Sequence, residues 1–497
     1  MTTRHNHTAF PWLLLPADIR LLVLDEISGQ KNRGWAQGAA VCKEWQAVLE
    51  PKNFSQLTVQ LSCLDGLETL VIRQRPLVRR ICFYIELPRY GCHACYRSKA
   101  TYGQTSALFR KAILRLFSIL STWQPAGQLI LELSASSPSD SQHWFKNYCF
   151  GPGHEDTTDW TEQERALRWH DPKHGWIAGY QAELPDPEAF LRLFSPLCSS
   201  VPKTLPIVQA VTSFCIRRQL RHELFPRVLE ALWEKLPRLE SIVYELWRAR
   251  RHFYYMHMQS ELASLFESSV PKHVKRVSIF RDFNDQLTLA SYNDQLTLAS
   301  HNATIHLNLD SDVGIIPAVP LRVTRAFAAR SPHLEHLSIS HMIDAQLFFT
   351  LCQCPWPLLQ SLTLTASTLA RRAPRQHIYT LLRNASTTAL TMPRLSTMVL
   401  WNSEPRHACA LMYQRHTASA MATLTWRGTW NLELPEDVVA SWKKVAGLCY
   451  LRLEKEALHD VDIRSHGDAI HHLRLPDGVA DPVSLYQIRH EGMLGVV

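Results

Sequence analysis

The feature that most constrains this chain is a phrase that recurs along it: an aliphatic residue, two others, an aliphatic, one other and an aliphatic, usually with proline two positions ahead. Copies run from Pro76-Leu77-Val78 to Phe83, Pro237-Arg238-Leu239 to Tyr244, Pro332-His333-Leu334 to Ile339, Pro357-Leu358-Leu359 to Leu364 and Pro393-Arg394-Leu395 to Leu400. Val274 to Ile279 and Leu448 to Leu453 repeat it with looser openings. The closing positions alternate apolar and other side chains, as in Leu362-Thr363-Leu364, which is the period of a short strand buried on one face. Leu337, Ile339, Leu362, Leu364, Met398, Leu400, Leu451 and Leu453 are therefore expected to be buried, with Ser338, Thr363, Val399 and Arg452 turned the other way. Helical patterns over Phe225 to Lys235 and Ala345 to Leu351 lie beside these strands. The expectation is an α/β chain whose units bury their apolar edges against one another. The spacing is uneven, short from Leu334 to Leu359 and long from Val274 to Leu334.

A second organising stretch lies near the start. Pro16 suits the first turn of a helix, and Asp18 suits the positive end of its dipole. Ile19, Leu22, Val23 and Ile27 then recur at helical spacing, while Leu21 and Leu24 place apolar surface on another face as well. A further helix is expected from Trp35 to Leu49, carrying Val41, Trp45 and Val48, with Cys42 and Leu49 alongside, and stopping before Pro51. Roughly forty residues cannot bury this much apolar surface alone, which points to a docking module.

Leu15-Pro16, the aliphatic run Ile19 to Ile27, and Val41-Cys42-Lys43-Glu44-Trp45 together resemble an F-box. That resemblance implies a small helical unit over residues 12–56 that binds the Skp-type adaptor, and through it the cullin, of an SCF-type cullin–RING E3 ubiquitin ligase. Leu15, Pro16, Ile19, Leu22, Ile27, Val41, Cys42 and Trp45 are the candidate adaptor-binding residues. The middle departs from the family pattern: Gln30 to Gly34 is polar, and the leucine-rich run is reduced to Trp35-Ala36-Gln37-Gly38-Ala39-Ala40. The repeated phrase makes residues 57–497 resemble an irregular leucine-rich-repeat-like α/β solenoid, with an irregular excursion near 134–188. Ser134 to Ser141 reads as a surface loop within it. Together with Ile85 to Tyr90 before it and His143-Trp144-Phe145-Lys146 after it, this stretch is similar to a group of uncharacterised fungal F-box proteins.

The expected function is a non-catalytic substrate receptor: the F-box docks the adaptor, the repeats bind an unknown target protein, and proximity does the rest. In a leucine-rich-repeat solenoid the outward strand positions line an extended binding face. Here these are Glu335, His336, Ser338, Gln360, Ser361, Thr363, Ser396, Thr397, Val399 and Arg452, mostly small or polar, which suits a polar or charged target segment. The rival readings are an interaction scaffold with a degenerate F-box acting outside any ligase, and a metal-dependent enzyme using Cys92, Cys95 and the loop His154 to Asp159.

Composition narrows the classes. With 497 residues, 46% hydrophobic and 20% charged, the chain is of ordinary globular make-up. A formal charge of +8 spread without a basic run does not argue for nucleic acid. The apolar patch Ala9 to Leu15 is broken by Pro11, Pro16 and Asp18 before a signal-peptide core forms, and no run is long enough to span a membrane. A cytoplasmic or nuclear location is expected, and the 12 cysteines read as reduced thiols, leaving the sequon Asn302-Ala303-Thr304 silent.

Motifs for chemistry are few. Cys92-His93-Ala94-Cys95 has half the spacing of a zinc site, but no second pair lies nearby in the chain, and Cys352-Gln353-Cys354 is spaced too tightly to complement it. No metal and no cofactor are therefore expected. There is no nucleophile elbow, zincin helix or phosphate-binding glycine loop. The 24 histidines are scattered, and His471-His472 reads as surface. Trp247 to Tyr255 mixes aromatic and basic residues, suited either to bases and phosphates or to an exposed helix end. Phe283 to Ser291 is repeated at once as Tyr292 to Ser300, and an odd-length insert must be absorbed by a turn.

Overall fold

A computed structural model describes residues 12–30, 32, 34–95, 102–151, 169–183, 185–247, 260–282, 318–351, 354–416, 419–459, 461–476 and 478–493. The duplication, the sequon, most of the aromatic–basic stretch, Cys352 with Gln353, and the loop from His154 to Asp159 lie outside these residues.

The strands are β1 Gln56–Gln60, β2 Arg80–Glu86, β3 Ile130–Ser136, β4 Trp176–Ile177, β5 Tyr180–Gln181, β6 Ser213–Ile216, β7 Ser241–Trp247, β8 Arg276–Asp282, β9 His336–Ser340, β10 Ser361–Thr365, β11 Thr397–Glu404, β12 His407–His416, β13 Met421–Gly428 and β14 Tyr450–Ala457. All but the small β4–β5 hairpin join in one 12-stranded sheet, ordered as they occur in the chain. Pairing is parallel except at β11–β12 and β12–β13, so the fold is mixed α/β. Each copy of the phrase falls on a strand: β2, β7, β8, β9, β10, β11 and β14. Its proline forms the turn that feeds the strand, as in the 3-10 turns Arg75–Leu77 and Ser331–His333. Backbone hydrogen bonds then step from unit to unit, Glu240 N to Thr212 O, Lys275 N to Glu240 O, Glu335 N to Lys275 O, Gln360 N to Glu335 O and Ser396 N to Gln360 O. The phrase is thus the local solution to starting a strand in register with the one before it.

The helices are α1 Ala17–Gln30, α2 Lys43–Ser55, α3 Leu64–Thr69, α4 Tyr102–Leu120, α5 Pro187–Leu193, α6 Pro226–Trp233, α7 Ala318–Arg330, α8 Ala345–Leu351, α9 Arg375–Ala389, α10 Glu436–Ala446, α11 His466–Leu473 and α12 Pro482–Met493. One face of the sheet, with Phe83, Leu133, Ile242, Ile279, Ile339, Leu364 and Leu400, meets the apolar stripes of α4, α6, α7, α8, α9 and α10 in a continuous core. Each fully buried aliphatic side chain there contributes about 1.5–3 kcal/mol. The opposite face carries a smaller apolar cluster, Phe280, Val399, Trp401, Ala410 and Met412, packed under Ile463, Ile470, Leu473 and Ile488 of the C-terminal segment.

Several expectations are corrected. The helix expected over 35–49 divides into a 3-10 turn, Trp35–Ala40, and α2, and α2 runs through Pro51. Losing one N–H near a helix end is tolerable because the last turn is tied down: Lys52 bonds Asp25 and Ser28, and Asn53 bonds the Ala36 carbonyl. Ser134 to Ser136 is not a surface loop but the buried end of β3, where Ser136 Oγ meets Tyr84 Oη at 2.7 Å. Leu337, Ile339, Leu362, Leu364, Met398, Leu400 and Leu451 are buried as expected, but Leu453 is 48% exposed. Its strand, β14, is the sheet's last, and its far half is screened by charge, Arg427 to Glu456 and Lys455 to Glu433, as edge strands commonly are.

Candidate functional site

In the N-terminal unit, α1 and α2 are clamped by few contacts. Leu24 and Leu49 are fully buried, Trp12 packs on Trp45 at 5.2 Å, and Glu44 accepts from Trp12 Nε1 at 3.0 Å and from Arg20 Nε at 2.7 Å. Many of the other apolar side chains face outward: Leu13, Leu14, Ile19, Leu21, Leu22, Val23 and Val41 are exposed. Of the sequence candidates, Pro16, Ile19, Leu22, Val41 and Cys42 are exposed, whereas Leu15, Ile27 and Trp45 are half-buried, Trp45 in the clamp itself.

The second face of the sheet is largely occupied by the chain's own C-terminal segment, which the sequence reading did not foresee. It runs from α11 on β11 and β12, through Asp481 beside β2 and β6, to α12. An ion-pair network fastens it. Arg218, just past β6, is bound by Asp282 at the end of β8 and by Glu491 of α12, and Arg221 donates to the same Glu491 at 2.6 Å. Arg217 pairs with Glu132 of β3 at 2.5 Å and with Asp481 at 3.2 Å, and Arg80 reaches Glu132 at 2.7 Å. Trp247 lies under both Arg218 and Arg221. Burial alone would raise the Asp282 and Glu491 carboxyls, but the Arg218 guanidinium holds both below their usual range. Among the described residues, Glu245 of β7 meets no cationic partner of this kind. Burial pushes it up to about 7 while it accepts from Asp481 N at 2.6 Å, Ser484 Oγ at 2.5 Å and Arg218 N at 3.0 Å. Glu132, Glu245 and Asp282 sit at alternating strand positions, where a charge among apolar neighbours reads in sequence as a solvated face.

Not all of that face is covered. At the starts of β2, β3 and β6 to β10, a groove of about 420 Å³ remains, with Asp481 on the C-terminal side. Its walls include Arg80, Arg276, Ser278, His336, Ser338 and Ser361. The groove therefore gathers His336, Ser338 and Ser361 from the sequence candidates. Thr363 and Val399 are buried, Val399 directly under the C-terminal segment, because the chain folds back over the positions expected to stay open. Glu335, Gln360, Ser396 and Thr397 are half-buried beside the strand starts, their backbones engaged in the unit-to-unit ladder. Arg452 is exposed at the sheet edge, well away in strand order. The exposed Arg276 guanidinium can pair with a polar or anionic segment.

Among the described residues, Cys92, His143 and His174 place potential ligand atoms within 4.8 Å of one another. No described helix is long and apolar enough to cross a membrane. No curated protein matches the chain. Residues 269–481, from the turn before β8 to Asp481, match the profile of DUF6546, a family of unknown function.

Proposed function

We propose that this chain is a substrate receptor of an SCF-type cullin–RING ubiquitin ligase, with residues 12–56 serving as the F-box. The observation that carries the reading is the set of apolar side chains Leu13, Leu14, Ile19, Leu21, Leu22, Val23 and Val41, exposed on a unit that is itself held by Leu24, Leu49, the Trp12–Trp45 pair and the Arg20–Glu44 ion pair. This much exposed apolar surface on so small a unit suits a docking face. The strands in chain order, with helices along one face, support a leucine-rich-repeat-like solenoid as the target-holding part. Within it, the groove between the strand starts and Asp481 takes a polar or anionic target segment. The chain's contribution is proximity, and it performs no bond chemistry.

The test is co-purification with the Skp-type adaptor. Ile19→Asp with Leu22→Asp places charge on the exposed band and abolishes adaptor capture, since a desolvated anchor at such a face contributes more than about 1–2 kcal/mol. The same variant keeps the far-ultraviolet dichroism of the wild type, because neither side chain belongs to the core. Arg276→Glu with Ser338→Arg removes target proteins from affinity-purified complexes and leaves the adaptor bound. Undiminished adaptor capture by the first variant overturns the F-box assignment.

A further inference from the structure

Cys92 and Cys95 offer two thiols from a single 3-10 turn, and the fold supplies what the local sequence lacks. His174, 4% exposed, is delivered by the turn Pro172–His174, with Nε2 3.2 Å from Cys92 Sγ and 3.6 Å from Cys95 Sγ. Asp171 Oδ2 lies 2.7 Å from His174 Nδ1 and is itself held by Lys146 at 3.0 Å, so Nε2 is the nitrogen aimed at the sulfurs. His143 closes the group from a third segment. The Tyr90 backbone holds its ring, and its Nε2 is buried with no hydrogen-bond partner. Tetrahedral zinc, with Zn–S of about 2.3 Å and Zn–N of about 2.0–2.1 Å, sets sulfur and nitrogen ligands about 3.6 Å apart, close to the 3.2 Å and 3.6 Å from His174 Nε2 to the two sulfurs, while Cys92, His143 and His174 have ligand atoms within 4.8 Å of one another. The carboxylate behind His174 is the usual outer partner of a zinc-bound imidazole. Gly175, at φ +72°, makes the turn past His174; a Cβ there would clash with the Glu183 carbonyl.

The surroundings explain what such an ion would do. Cys95, Trp144, Phe145, Tyr148, Phe150, Ala189, Phe190 and Leu193 form an apolar cluster separate from the main core. A cluster this small is marginal without a staple. We propose that Cys92, Cys95, His143 and His174 bind one structural Zn²⁺, which pins the segments around residues 92, 143 and 174 together. Four protein ligands leave no open position, so the site is closed and not catalytic. Two thiolates balance the ion's charge.

The full chain, purified under reducing conditions without chelator, should carry about one zinc per molecule by elemental analysis. Cys92→Ser with Cys95→Ser, and separately His143→Asn with His174→Asn, should lower zinc content at least about tenfold. His93→Asn and Cys63→Ser, which alter neighbouring or unrelated side chains, should leave it unchanged. Asp171→Asn removes no ligand and should weaken zinc affinity about 10- to 100-fold in chelator competition. Cobalt substitution should give tetrahedral ligand-field bands with thiolate charge transfer, and zinc-edge X-ray absorption should fit two sulfurs and two nitrogens. Because ligand variants can fail to fold, stripping and restoring zinc in the wild-type chain supplies an independent readout, a reversible fall and rise in Tm. A metal-free wild type, a Cys92–Cys95 disulfide in its place, or a shell without two sulfurs overturns the proposal.

Discussion

Glu491→Gln is the sharpest test of how the C-terminal segment is held. The carboxylate is 4% exposed and meets two guanidinia, each 1% exposed: Arg218, at 2.6 Å and 3.0 Å, and Arg221, at 2.6 Å. Glutamine keeps the shape but removes the charge, leaving Arg218 and Arg221 to share Asp282 as their neighbouring anion. Breaking a buried pair in this way costs about 3–5 kcal/mol, because the orphaned cations cannot reach water. An exposed pair such as Arg464–Asp462, with side chains 60% and 63% exposed, is screened by solvent and contributes little. Native-state hydrogen exchange, read by mass spectrometry over 478–493, measures the local opening free energy directly. Exchange there should accelerate by about two to four orders of magnitude in Glu491→Gln, with little change in α4, while Asp462→Asn serves as the exposed control. Adding Arg221→Met removes one of the two orphaned charges, so the double variant should lose less than the sum of the single ones. Acceleration below about tenfold, or strictly additive losses, would refute the network as the fastening.

Glu245 gives a pH signature of the opposite sign to Glu491. It holds its proton in the fold up to about pH 7, against 4.5 for an ordinary glutamate, so the folded chain binds more protons in between. Its contribution to stability therefore falls by about 3 kcal/mol as pH rises through that window. Glu245→Gln should flatten that fall in the opening free energy of α12; a wild-type-minus-variant difference that does not vary with pH would contradict it. In the core, Leu364→Ala removes a fully buried side chain and should cost about 2–5 kcal/mol in chemical denaturation. Leu453→Ala, at the exposed edge, should stay within about 0.5 kcal/mol of wild type. Equal losses for these two would undo the assignment of β14 as a screened edge.

What the sequence determined by itself was local. The recurring phrase, usually led by proline, specified β2, β7, β8, β9, β10, β11 and β14, because a two-residue alternation behind a turn is a short-range signal that needs no knowledge of partners. The helix at Ala345–Leu351 and the exposed apolar band near the start were legible for the same reason: periodicity records which face an element must hide. Strands β12 and β13 fall outside the phrase, since they pair antiparallel and carry different boundary chemistry. Which of two faces stays open, and which distant residues meet, is set by the packed fold. Val399 and Thr363 look outward in a strand pattern, yet the chain returns over their face, and nothing local encodes that return. Glu132, Glu245, Asp282 and the arginines after β6 read as solvated charges until α12 seals them. His143 and His174 read as scattered histidines until the fold carries them to Cys92 and Cys95. A short-range pattern can state what a residue must avoid, but a charge or a ligand is satisfied by its partner, and here the partners lie scores to hundreds of residues apart, brought together only by the packing of the whole sheet.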